Sequence, residues 1–227
     1  MKSLKFSVII VSIIGFTITS NTVLAQENLA TARPTSAIGA WTLPSSSFQF
    51  EQGFTYVNDT LELDGLFRLS VSKIAELRFK TSYGSKNVEF GAKVMLLDPD
   101  RHKTGLALKI SVDSEFIVRD FRMVVTQTLT DRFSVFGNLG VKPGGRWYGI
   151  ALFNIGLGDR FSTYLEGDFR DGFQQYNTGL TYLIGTETQL DISTGLISNS
   201  SEFYGFEDSI YIGVGFSQRL KFDKLIH

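Results

Sequence analysis

The sequence predicts an all-β chain, an antiparallel up-and-down transmembrane β-barrel of about twelve strands. Three observations predict it. Hydrophobicity alternates with a period of two from Ser47 onward, turn signals recur at the spacing of a hairpin, and no run after the N-terminus is apolar enough to cross a bilayer as a helix.

Lys2 and Lys5 precede an unbroken apolar or small stretch over 6 to 18, and Val23-Leu24-Ala25 precedes Gln26. The stretch is too short for the ~20 residues of a spanning helix, and small residues follow it, so residues 1 to 25 read as a cleavable secretory signal. The chain has no cysteine, which removes disulfides, thiolate chemistry and a lipid-modified cysteine anchor. Taking residues 1 to 25 from the 227 leaves 202, with 20 of the 22 basic residues against all 23 acidic ones and a formal net charge of −3. No basic excess invites nucleic acid. Residues 26 to 46 have no clear period and contain Trp41; they read as an unstructured periplasmic N-terminal segment, with a plug folded into the lumen as the alternative.

The strands follow in order. Phe48, Phe50, Phe54 and Tyr56 alternate with Gln49, Glu51, Gly53 and Thr55, with Gln52 interrupting the oily row. Leu61, Leu63, Phe67, Leu69 and Val71 then lie opposite Glu62, Asp64, Arg68 and Ser70. Ala75, Leu77, Phe79 and Tyr83 face away from Glu76, Arg78, Lys80 and Ser82, and Val88, Phe90, Ala92, Val94 and Leu96 face away from Glu89, Gly91 and Lys93. Further strands are expected at 104 to 113, 117 to 129, 133 to 141, 147 to 157, 161 to 169, 176 to 184, 188 to 196 and 209 to 220, each close to the roughly 9 to 11 residues of a tilted membrane strand. Pro34, Pro44, Pro99 and Pro143 all fall outside these segments, as a closed ladder requires. The barrel is thus expected over 47 to 220, with a tail over 221 to 227.

A repeat underlies the pattern. Turns on one rim centre on Lys73, Asp100, Asp131, Asp159 and Thr186, spaced by 27, 31, 28 and 27 residues, so the unit is a hairpin. Leu129-Thr130-Asp131-Arg132-Phe133-Ser134 recurs as Leu157-Gly158-Asp159-Arg160-Phe161-Ser162, with five identities in six. Three-residue loops would pair Val71 with Ala75, Leu129 with Phe133, Leu157 with Phe161 and Ile184 with Thr188, and each oily row then continues onto the next. A two-residue Asn58-Asp59 turn would pair Val57 with Thr60. Longer loops are expected on the opposite rim, at 170 to 175 and at 197 to 208.

Alternation alone fits a soluble barrel with the oily row inside as well as a membrane barrel with it outside. Three features favour lipid. A soluble barrel of about twelve strands is too wide to fill, since filling works best near ~8 strands. Aromatics stand at the row ends, with Phe48, Phe133 and Phe161 at one rim and Tyr56, Tyr83, Phe169 and Tyr176 at the other, the girdle positions of a membrane barrel. The polar row mixes both charge signs with Gly, Ser and Asn, like a narrow wet lumen.

Arg33-Pro34, Pro44 and Phe48-Gln49-Phe50-Glu51-Gln52-Gly53-Phe54-Thr55-Tyr56 resemble the N-terminal pattern of the outer-membrane transporter-like family named for the meta-pathway of phenol degradation. Thr130 through Gly140, and Gly179-Leu180-Thr181-Tyr182-Leu183, resemble its middle and C-terminal strands. Ser46 stands where such proteins often carry glycine, and the 221 to 227 tail follows the final strand, where many barrels end on an aromatic. The resemblance implies passage of small apolar or aromatic molecules and no catalytic residues.

The inward row offers a candidate constriction. Pairing Tyr83 with Val88 sets Arg68 beside Arg78 and Arg78 beside Lys93, a basic wall facing Glu166, Asp168 and Asp191. Glu51, Glu62, Asp64, Glu76, Lys80, Glu89 and Lys109 line the rest. The plainer reading is preferred: salt bridges through Glu51, Glu76 and Glu89 that close a small lumen, because mixed charges in a narrow barrel neutralise one another. Ile150 and Leu152 also point inward, as an apolar ligand patch or as the mark of a register error.

Enzyme chemistry fares poorly. His102 lies in a turn and His227 in the tail, away from the outer rim where a barrel hydrolase would need its base. Glu62/Asp64 and Glu166/Asp168 share a face two residues apart, which a solvated lining explains. Lys142-Pro143-Gly144-Gly145-Arg146 lacks phosphate-loop spacing, and the sequons at Asn58 and Asn199 are ordinary turn chemistry. No cofactor and no metal are expected. The expectation is a non-enzymatic, porin-like barrel in the outer membrane of a Gram-negative cell, passing small-molecule solutes, contacting outer-membrane lipids and inserted by the barrel-assembly machinery. A structural or adhesive barrel with a blocked lumen, acting through the 197 to 208 loop, is the alternative, and a barrel enzyme the remote one.

Overall fold

The computed structural model describes residues 29, 31–84, 88–201 and 205–222. The expected signal over 1 to 25, His227 and most of the tail lie outside them. Twelve strands close into one antiparallel barrel, each paired with its chain neighbours and the last with the first. They are β1 (Ser47–Val57), β2 (Thr60–Ser72), β3 (Ala75–Tyr83), β4 (Val88–Leu97), β5 (Thr104–Asp113), β6 (Val118–Thr130), β7 (Phe133–Lys142), β8 (Arg146–Gly156), β9 (Phe161–Arg170), β10 (Phe173–Ile184), β11 (Thr188–Ser201) and β12 (Gly205–Lys221). Closure pairs Ser47 with Lys221 and Val57 with Tyr211, so the ladder has no free edge. One short helix, α1 (Pro99–His102), joins β4 to β5; the Asp98 carboxylate caps it by accepting from the Asp100 amide at 3.0 Å.

The barrel is inside-out relative to a water-soluble protein. Leu77, Phe153, Leu165, Ile192 and Ile212 all face outward and exposed, with Leu165 59% accessible, whereas Glu51, Arg68, Glu76, Lys93 and Asp168 are buried inside. An apolar belt around a polar interior is the surface a bilayer solvates and water does not. Tyr56, Tyr83, Phe169 and Tyr176 are exposed near one rim and Phe133 and Phe161 near the other, where girdles belong.

Local geometry follows the turn chemistry. Asn58 and Asp59 both take positive φ, 47° and 59°, and Val57 pairs with Thr60, as the two-residue turn demands. Ile184 pairs with Thr188. At two other turns the partners differ by one residue: Ser72 meets Ala75 and Thr130 meets Phe133, with a bulge at each. The extra residues are Val71 and Leu129, and the bulge keeps both on the outer face.

Three expectations change. The register of β3 on β4 slides by two, pairing Thr81 with Val88, so Glu76 and not Arg78 stands opposite Lys93. The expected loop at 170 to 175 is a tight turn at Asp171-Gly172, with φ of 68° at Gly172 and Arg170 paired to Phe173. The expected loop at 197 to 208 is mostly ladder, since β11 and β12 stay paired out to Ser201 and Gly205. The contrast between short turns on one rim and long loops on the other is therefore weak.

Candidate functional site

The lumen is the site, and the chain's own residues 31 to 43 run through it. This replaces the expected periplasmic lead over that stretch. An extended segment carries unpaired amides that must find acceptors once water is excluded, and here the barrel wall supplies them. Glu51 on β1 accepts from the amides of Ala32 and Arg33 at 2.9 and 3.0 Å. Across the lumen, Glu166 on β9 accepts from Ser36 and Ala37 at 3.0 and 2.7 Å. Asn138 on β7 accepts from the Ile38 amide and donates to its carbonyl, each at 3.0 Å. Thr126 on β6 accepts from Ala40 at 2.9 Å, and Glu76 on β3 accepts from Leu43 at 2.9 Å. The Trp41 indole donates to Asp100 in α1 at 2.8 Å.

Apolar contacts run alongside. Ala37 packs on Tyr148, Ile150, Leu152 and Tyr164, so the two inward residues of β8 reflect a correct register and their patch is already covered. Ile38 and Ala40 pack on Ala107 and Val124, and Trp41 meets Phe136 edge to face at 5.8 Å. Ala40 and Leu43 have no accessible surface. At Ala37, Ile38, Ala40 and Leu43 the segment is packed against the wall as core residues are in a domain.

The candidate constriction residues fall into distinct environments. Arg68, Arg78 and Lys93 converge on Glu76 rather than forming an open basic wall. Arg68 grips Glu76 through Nε at 3.1 Å and Nη2 at 2.7 Å and reaches Glu51 at 3.2 Å. Arg78 donates to Glu76 at 2.7 Å, and Lys93 Nζ lies 3.7 Å from it. Lys93 also donates to the Gly39 carbonyl at 3.1 Å and to the Trp41 carbonyl, tying the charge cluster to the segment. Bidentate and multiply bonded pairs are what allow charges to be buried.

On the far wall, Glu166 also accepts from Asn177 at 2.7 Å, and Asp168 is gripped by Arg170, at 2.8 Å from Nε. Asp191 is buried with neither oxygen hydrogen-bonded among the described residues. Asp64 holds Arg33 at 2.9 and 3.0 Å. Lys109 sits between Asp120 at 3.0 Å and Glu89 at 3.4 Å. Glu62 and Lys80 are exposed near the rim remote from the chain termini and belong to the mouth.

Several members were not anticipated: Arg33, Asp120, Arg122, Asn138, Tyr148 and Arg219. Arg122 donates to Tyr148 at 2.7 Å and to the Ser36 carbonyl at 3.0 Å, and the Tyr148 hydroxyl donates to Asp120. Asp120 and Arg122 alternate along β6 with the outward-facing Phe121 and Met123, and their role needed the partner strand. Arg219 donates to Glu187 in the β10–β11 turn at 2.5 Å. Burial pushes the Glu187 carboxyl up, but the Arg219 hydrogen bond and the Arg219 and Lys221 charges outweigh it and hold it below the usual carboxylate range.

Solved outer-membrane barrels share this architecture. The KdgM porin superposes with a TM-score of 0.61 at 12% identity, covering 75% of this chain and 98% of that one; the same porin, also solved in complex with disordered oligogalacturonate, gives 0.59 at 11% over 75% and 98%. The NanC porin gives 0.54 at 10% over 76% and 100%, and an outer membrane channel from Pseudomonas putida F1 gives 0.52 at 9% over 80% and 98%. At such identities the likeness is one of fold. No family model matches the sequence, and no curated protein matches it.

The site offers carboxylates, guanidinium groups and tyrosines arranged to hold a strand of polypeptide. His102, exposed in α1, stands apart from them.

Proposed function

We propose that this chain is an outer-membrane channel for small solutes whose lumen is closed by its own residues 31 to 43. The observation that carries the reading is a charged lumen inside an apolar outer wall, stoppered by a segment that the wall holds through side-chain hydrogen bonds rather than as a strand of the sheet. Contacts of that kind can be exchanged for water or solute one at a time. A strand of the closed ladder cannot leave without opening the barrel.

The fold shared with porins, one of them solved with an oligogalacturonate, supports a solute-handling lumen. Residues 1 to 25 would direct export and be removed, and the barrel-assembly machinery would insert residues 47 to 220 among outer-membrane lipids. The resemblance to the phenol-pathway family points to apolar or aromatic cargo. The wall formed by Tyr148, Ile150, Leu152 and Tyr164 is the part of the lumen suited to it once Ala37 withdraws. With the segment withdrawn, Arg68, Arg78 and Lys93, gathered on Glu76, would line the candidate constriction opposite Glu166, Asp168 and Asp191.

The second reading, a scaffold permanently blocked, is favoured by the burial of Ala40 and Leu43. Liposome swelling separates the two. Vesicles carrying the barrel without residues 31 to 43 should swell in small sugars and aromatic acids at least ten times faster than vesicles carrying the full chain. Equal, background rates for both would leave only the scaffold.

A further inference from the structure

One level of the lumen has a construction that the closing segment alone does not explain. Asp191 on β11 pairs with Gly215 on β12, Gly215 with Gly53 on β1, and Gly53 with Asp64 on β2. Four adjacent strands therefore present the inward row Asp-Gly-Gly-Asp. The Arg33 guanidinium lies on it: a Cβ added at Gly53 would sit 1.8 Å from Nη1 and 2.1 Å from Cζ, and one added at Gly215 would sit 2.6 Å from Nε. The point above Gly215 is also 2.6 Å from both Asp191 oxygens.

Neither glycine takes a left-handed φ, so backbone conformation does not call for them; the room they leave does. Asp64 accepts both hydrogen bonds from Nη1. Asp191 and Arg33 Nε, facing each other over Gly215, are buried and make no hydrogen bond among the described residues. The carboxylate is thus poised for a planar cation but incompletely used by the tethered one. A buried carboxylate left with no donor is costly, and a free ligand not constrained by Pro34 and Glu51 can settle deeper.

We infer that the Asp191-Gly215-Gly53-Asp64 row is a binding site for small guanidinium-bearing solutes, and that Arg33 occupies it as a built-in competitor. Two flat glycine floors select a planar cation over a tetrahedral ammonium, and two flanking carboxylates supply its charge and in-plane acceptors. Such a solute displaces Arg33 and frees the part of the segment that Glu51 and Asp64 hold. The regulatory consequence rests on the channel reading; the site itself does not.

The test is calorimetric titration of the full-length, detergent-folded protein with ethylguanidinium chloride, with heat-modifiable gel migration as the check on folding. Arg33→Ala should bind it at least ten-fold more tightly than the unaltered protein. Adding Asp64→Asn and Asp191→Asn, or Gly53→Val, to Arg33→Ala should weaken that binding at least ten-fold, and ethylammonium should bind Arg33→Ala several-fold more weakly than ethylguanidinium. Gly53→Ala alone is an independent route, because the three atoms nearest a methyl there all belong to the movable guanidinium tip: it should speed exchange at the Ala32 and Arg33 amides while the barrel stays folded. Binding by Arg33→Ala no better than by the unaltered protein, or unchanged by the paired asparagines, overturns the site. So does equal binding of ethylammonium. Swelling rates decide the channel reading separately.

Discussion

Glu76→Gln tests how the lumen tolerates so much buried charge. The Glu76 carboxylate accepts from Arg68 twice, at 3.1 and 2.7 Å, from Arg78 at 2.7 Å and from the Leu43 amide at 2.9 Å, with Lys93 at 3.7 Å. The substitution keeps the shape, removes the charge, and turns an N–H group toward a donor whichever way the amide is placed. Breaking a buried ion pair from one side costs about 3–5 kcal/mol. Glu51 still faces Arg68 at 3.2 Å, which places the expected loss at the lower end, about 3 kcal/mol, or roughly a hundred-fold in the folded-to-unfolded ratio. The assay is reversible urea unfolding in lipid vesicles, followed by the fluorescence of Trp41 and Trp147 and by gel migration. Glu62→Gln, at the exposed mouth, is the control and should change stability by less than ~0.5 kcal/mol. If Glu76→Gln lies within about 1 kcal/mol of the unaltered protein, then Glu76 is not the group that makes Arg68, Arg78 and Lys93 tolerable inside the barrel.

Three further predictions address separate parts of the structure. Glu166→Ala removes the acceptor of the Ser36 and Ala37 amides; hydrogen exchange at those two should accelerate at least ten-fold while strand amides keep their protection. Leu165→Arg, on the outer wall between Phe153 and Thr178, should cost about 2–4 kcal/mol if lipid surrounds that level, measured by the same vesicle unfolding; no change would mean the wall faces water there. Glu187 is held below the ordinary carboxylate range by Arg219 and Lys221, so its contribution is present at neutral pH and disappears as pH falls through the lowered value. Glu187→Gln should therefore be the less stable protein at neutral pH, with the gap closing in acid, as urea midpoints across that range would show.

The barrel was legible in the residues because a ladder with lipid on one side and a wet lumen on the other leaves a period of two in every strand. Where it was misread, the physical reason is specific. Strands β10 to β12 run beyond the apolar belt, where neither face needs to be oily; Gln174 and Gln175 broke the pattern and suggested a loop, although the hydrogen-bond ladder continues through them. The two-residue slide of β3 on β4 leaves every side chain on its proper face, so hydrophobic pattern cannot detect it, and it moved Lys93 from Arg78 to Glu76.

The closing segment was the least legible feature. Residues 31 to 43 pair with wall side chains scattered over β1, β3, β6, β7 and β9, and such contacts impose no period on the segment itself. Two hints were present. Ile150 and Leu152 pointed into a lumen that otherwise looked polar, and the inward row held carboxylates such as Glu166 and Asp191 with no basic neighbour on adjacent strands. Arg33 and the Gly53–Gly215 pair were invisible without the closure of β1 on β12, which brings residues far apart in sequence to one level.

Single-channel recording in planar bilayers tests the central claim most directly, that a conducting lumen lies beneath residues 31 to 43. The full-length barrel should insert and stay closed, with rare brief openings, and the form lacking those residues should give stable, ohmic steps. A shortened barrel that migrates as folded and inserts, yet never passes current, would contradict it.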